Sequence, residues 1–173
     1  MPSNVTDSIR DEYLRYKALA EKAFDQVDDA ELSRPGPNGG SSLAVICWHI
    51  SGNLRSRFTD FLTSDGEKPW RQRDEEFEAR DVSRAEFRSK WEQGWEVLLG
   101  VLESLTDEHL ERIVTIRERP LRVDQALHRS LAHTAYHVGQ AVYLAKSFRG
   151  HDWVSLSIPP GQSAAYNRRQ DRE

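Results

Sequence analysis

The sequence predicts an all-α fold of four long helices. Two observations carry this. Apolar residues recur at helical spacing in four separate segments, and the breaker-rich stretches "SRPGPNGGSS" and "SDGEKPWRQRDEEFEARDV" fall between them. The length of 173 residues suits one domain, spanning 1–173, with room for a sizeable core.

The first helix is expected from about Asp7 to Val27, with Ile9, Tyr13, Tyr16, Ala20, Ala23, Phe24 and Val27 near one face. "SRPGPNGGSS" then ends regular structure. Ser41 or Ser42 caps a second helix that runs to about Thr63 and turns Val45, Ile46, Ile50, Phe58, Phe61 and Leu62 inward.

The polar connection that follows is long. Antiparallel neighbours need only short turns, so a connection of this length predicts that the second and third helices run parallel, joined by a crossover. Trp70 and Phe77 are the residues expected to pin that crossover, and the carboxylates of "RDEEFEARD" read as a solvated loop. Ser83 and Glu86 form a capping-box pair for the third helix. Its stripe is Phe87, Trp91, Trp95, Leu98, Val101, Leu102 and Leu105. "VTIRERPLRV" reads as a short hairpin around a turn-like "ERP". The fourth helix runs from near Asp124 to about Phe148, stopped by Gly150, with Lys146 and Arg149 suiting its negative end. The tail from Leu156 onward reads as extended, then frayed.

Chemistry concentrates in the histidines. His133 and His137 lie one turn apart on one helix face, with Gln140 a further turn along. An isolated pair of this kind is more often a hydrogen-bonded core pair or a surface accident than a ligand pair. His49 changes the weighing, because it sits in the apolar second helix, with Ile46, Ile50 and Asn53 on its side. Three inward imidazoles are expensive to bury without a shared partner, and a divalent ion is such a partner. His128 falls on nearly the opposite face from His137, and His109 and His151 sit in polar turns. Cys47 reads as a small core residue, not a nucleophile. The zinc-protease helix motif is absent, since Thr134 follows His133, and the glycines of "RPGPNGG" do not make a phosphate loop.

Taken together, "WHISGNLRSRFTDFL", "SDGEKPWRQRDEEF", "AHTAYHVGQAVYLAK" and "LSIPPGQS" resemble the DinB-like superfamily, in particular a bacterial branch of unknown function. The resemblance covers nearly the whole chain. It implies a four-helix bundle of up-down-down-up topology, consistent with parallel second and third helices. It also implies a divalent metal held by His49, His133 and His137, with zinc or nickel foremost and iron or manganese as further options. Relatives in that superfamily include thiol-dependent transferases and isomerases, and others described as metal-dependent hydrolases. A homodimer follows from the same resemblance.

Three functional readings result. In the foremost, the chain is a transferase that activates a low-molecular-weight thiol at the metal, with a small-molecule substrate. In the second it is a metal-dependent hydrolase, which needs a general base that the histidine faces do not supply. In the third it is a non-enzymatic, metal-stabilised stress or interaction module. No catalytic residue is assigned; Gln140 is expected to orient a ligand or a water. "RQRDEEF" reads first as a loop clamped by Arg–carboxylate pairs, with Arg55, Arg57, Arg71 and Arg73 as anion contacts in a second reading.

The net charge of −4 argues against nucleic acid as a partner. No apolar run reaches transmembrane length, and the first residues lack the basic and apolar regions of a signal peptide. With a single cysteine, the expected location is the cytosol.

Overall fold

The computed structural model describes residues 4–170. Residues 1–3 and 171–173, the two ends of the expected single domain, lie outside that range. Among the described residues, six α-helices and one hairpin account for the regular structure beyond short 3-10 turns: α1 (Val5–Phe24), α2 (Asp29–Ser33), α3 (Leu43–Phe58), α4 (Arg84–Ser104), β1 (Ile113–Ile116), β2 (Arg119–Arg122), α5 (Val123–Arg149) and α6 (Ser163–Gln170). The fold is mostly helical, as expected. The four long helices α1, α3, α4 and α5 are those foreseen. The most extensive packing joins α3 to α4 and α1 to α5, and α3 also meets α5. Among the described residues no helix is long and apolar enough to cross a membrane.

Local chemistry explains the helix ends. The Asp107 carboxylate accepts from the Val5 and Thr6 amides, both at 3.0 Å, and so caps α1 from a distant turn. Ser42 caps α3 by accepting from the Val45 amide. Ser83 and Glu86 form the expected capping box on α4. Gly150, at φ 55°, ends α5.

Four details differ from expectation. α1 stops at Phe24, three residues early, and the chain turns into α2. A capping box between Asp28 and Glu31 starts that short helix, which buries Leu32 completely. A five-residue helix is too short to show periodicity. Next, α3 ends at Phe58 and not Thr63, because Asp60 adopts φ 50°. The tail, expected to be extended and frayed, forms α6; its last residues lie outside the described range. Lastly, the hairpin turns on Arg117 and Glu118, at φ 54° and 62°, so that of "ERP" only Glu118 lies in the turn and Arg119 and Pro120 belong to β2.

Two left-handed residues in a row suit a tight hairpin but strain side chains that carry a Cβ. The Asp65 carboxylate offsets this by accepting from the Arg117 and Glu118 amides, each at 2.8 Å, and from Glu67 at 2.7 Å. Burial pushes the Asp65 carboxyl up, but these three amides outweigh it and hold the group well below the usual carboxylate range. The start of the crossover is thereby latched to the hairpin.

The core follows the expected stripes. Trp95, on α4, is fully buried and meets Tyr13, on α1, edge to face at 6.4 Å. The Tyr13 hydroxyl donates to the Leu127 carbonyl of α5. The contact between α3 and α4 is closest at Gly94: a Cβ there would stand 2.7 Å from Ser51 Cα. Backbone cannot yield as a side chain does. Gly94→Ala is therefore expected to destabilise the protein by about 1–3 kcal/mol, read as a lower denaturant midpoint with an unchanged slope.

Candidate metal centre

The helical repeat places His49 on α3, and His133 and His137 one turn apart on α5. Where α3 meets α5 the three rings converge. Their centroids are 4.5–5.1 Å apart. His49 Nε2 lies 3.2 Å from His133 Nε2. One nitrogen from each residue falls within 4.8 Å of the others, and among the described residues no second cluster of this kind forms. Three imidazoles facing one point are a donor set that could hold a divalent ion. His128 and His151 are exposed and His109 caps its own turn, so none of these joins the cluster.

The outer nitrogens of two rings have partners. Gln140 Oε1 lies 2.8 Å from His137 Nδ1, and its amide donates to the Tyr136 hydroxyl. This is the orienting role expected for Gln140. His49 Nδ1 lies 2.9 Å from Glu76 Oε2. A carboxylate at Nδ1 keeps the proton there and leaves Nε2 as the free donor.

Glu76 is the residue that sequence reasoning missed. It sits inside "RDEEFEARD", expected to be solvated, yet it is only 7% exposed. Arg71 binds it in bidentate fashion, at 2.7 and 2.8 Å. Burial raises the Glu76 pKa, but Arg71 and His49 outweigh it, and the carboxyl lies below its ordinary value. Room for it comes from Gly52, where a Cβ would fall on Glu76 Oε1. The glycine of "HISGN" was the available signal, since a helix-interior glycine asks what approaches the backbone. Trp70 and Phe77, expected to pin the crossover, are both substantially exposed; Phe77 instead covers His49, ring centroids 4.6 Å apart.

The expected clamp of Arg–carboxylate pairs is present. Arg71 holds Glu76, while Arg57 and Arg117 share Glu67. Arg55 lies over the Trp70 ring and Arg73 over Phe77. Cys47 is fully buried, and burial pushes its thiol up, which suits a core residue and not a nucleophile.

The imidazoles open into a cavity of about 410 Å³. Its lining includes five arginines and no carboxylate or cysteine. Burial, then the neighbouring imidazoles, pushes His133 down to about 3. His137 is lowered by burial and by His49. Neutral rings are the form that binds a metal.

The family model described as "Protein of unknown function (DUF1572)" matches residues 2–162. The chain belongs to the DUF1572 family. No curated protein matches it. The matched span of this DUF1572 chain contains all three histidines, Glu76 and Gln140, so the whole site lies within the family's domain.

The Glu76 contact has a measurable consequence. Glu76→Gln keeps the shape but removes the charge that orients His49. Zinc affinity, measured by chelator competition, is expected to fall roughly 10–100-fold, with His137→Ala as the reference for outright ligand loss. Unchanged affinity would mean that Glu76 serves only the loop.

Proposed function

We propose that this protein is a DinB-like, metal-dependent transferase that uses a low-molecular-weight thiol, with His49, His133 and His137 as the metal ligands. The helix order up-down-down-up belongs to the same reading, supported by the long connection over residues 59–83. One observation carries the functional part: three histidine donors converge on a cavity whose lining holds no carboxylate and no cysteine. Such a site has somewhere to bind a thiol and brings no thiol or carboxylate of its own.

A divalent ion held there, zinc or nickel foremost, supplies positive charge that lowers the pKa of a bound thiol toward neutrality. The chain's own residues do the rest. Glu76 and Gln140 fix the orientations of His49 and His137. Phe77 covers one side of the His49 ring and limits water on that side. In the transfer, the sulfur forms a bond to an electrophilic carbon and the leaving group departs with its bonding pair. The thiol proton passes to solvent.

Hydrolysis is the weaker reading, on a specific ground. A general base is needed, and the nearby carboxylate, Glu76, is held by Arg71 and His49 and does not line the cavity. A homodimer and a cytosolic location are carried in the same proposal, and sedimentation and cell fractionation check them.

Protein made without a histidine tag is expected to consume a chlorodinitrobenzene electrophile only with both metal and thiol present, and His133→Ala is expected to abolish that turnover. Ester hydrolysis that needs metal but no thiol would favour the hydrolase. Metal-dependent melting without turnover in either assay would favour a structural role.

A further inference from the structure

The two helices that bring the histidines together carry more than histidines. On α3, His49, Asn53 and Arg57 follow at intervals of four. On α5, Arg129, His133 and His137 do the same. Residues four apart share a helix face, so each helix presents one stripe to the same cavity, and all six residues line it.

The polar members of these stripes differ in how occupied they are. Arg57 is held by Glu67 and the Gly66 carbonyl, and Arg71 by Glu76. These two serve the loop. Asn53 is only 8% exposed, yet among the described residues its amide has no hydrogen-bond partner. Its amide atoms are not among the buried unpaired groups; they reach the cavity surface, where a ligand can bond to them directly. Arg129 has no ion pair or hydrogen bond among the described residues. Arg73 lies over the Phe77 ring and has one exposed ion pair, to Asp74 at 3.6 Å. The cavity therefore offers an unpaired guanidinium, Arg129, and an unpartnered amide, Asn53, each one helical turn from one of the three histidines, with Arg73 added from the crossover loop and no negative side chain in the lining.

We infer that the cavity selects an anionic small molecule, whose carboxylate or phosphate group is received by Asn53, Arg129 and Arg73 beside the three-histidine centre. This rests on the thiol-transferase reading for the identity of the nucleophile: the preferred thiol is one that carries such an anionic group. Guanidinium forks and an amide N–H suit the planar or tetrahedral oxygens of these groups. Asn53, Arg129 and Arg73 act in binding and not in bond making.

Calorimetric titration of the zinc-loaded protein separates the possibilities. The probes are succinate, inorganic phosphate, mercaptosuccinate and 2-mercaptoethanol. Mercaptosuccinate is expected to bind more tightly than succinate, and 2-mercaptoethanol more weakly than either dianion. Arg129→Gln and Asn53→Ala should each weaken the dianions by about fivefold, while zinc content and 2-mercaptoethanol binding stay unchanged. Arg129 is exposed, so its replacement does not threaten folding. A tighter response to phosphate than to succinate would assign the anionic group as phosphate.

The inference is overturned if neither succinate nor phosphate binds, or if both bind the two variants as they bind the wild type. A different outcome isolates the thiol reading. If mercaptosuccinate binds no better than succinate and 2-mercaptoethanol does not bind, while succinate binding still depends on Arg129, the anion site stands and the thiol assignment falls.

Discussion

The buried contact between the Glu76 carboxylate and the His49 ring is the constraint on which the candidate site depends. His49 needs a proton on Nδ1 if Nε2 is to face His133 and His137, and Glu76 holds it there. Glu76 stays charged in a buried position because Arg71 binds both its oxygens, and it reaches His49 because Gly52 leaves space beside α3. Buried pairs of this kind add little to stability when compared with apolar packing. Removing one partner is costly, about 3–5 kcal/mol, because the other is left charged and unmatched. The pair's value is therefore geometric. It sets the orientation of one imidazole and pulls the crossover loop onto the bundle at the same place.

That arrangement explains which parts of the molecule could be read from the sequence. Long amphipathic helices announce themselves by periodicity, and the caps Ser42, Ser83 and Gly150 marked their ends. The three histidines were legible too, because helical spacing alone puts His133 and His137 on one face, and an apolar surround turns His49 inward. Glu76 was not legible. It lies in a loop dense with acidic and basic residues, where composition argues for solvent; the local pair with Arg71 was open to reading, but the burial also needs His49, distant in sequence, which no local rule encodes. α2 escaped because five residues make no stripe. The hairpin was anticipated, but its turn was misplaced. Arg117 and Glu118 are poor left-handed residues on their own, and only the distant Asp65 carboxylate makes the turn favourable.

The crossover "SDGEKPWRQRDEEF" thus has two anchors of different purpose. Asp65, Gly66 and Glu67 tie it to the hairpin and to Arg57. Arg71 and Glu76 tie it to the face of α3 that carries His49. Between them the loop forms one wall of the cavity and brings Arg73 and Phe77 to its rim. Charge is sorted accordingly. The carboxylates lie behind the wall, paired with the arginines that build it, and the cavity is left with positive side chains and the three imidazoles. A protein of net charge −4 thus gathers positive side chains at this concave site, which suits the anionic ligand proposed for it.

The central claim is that His49, His133 and His137 share one divalent ion. The most direct test is anomalous scattering from crystals of tag-free protein, collected above and below the absorption edge of the metal found by elemental analysis. The account predicts a single strong peak equidistant from the three imidazoles, about 2.0–2.1 Å from each nitrogen if the ion is zinc. Metal-replete crystals with no peak there, or a peak held by other side chains, would contradict it.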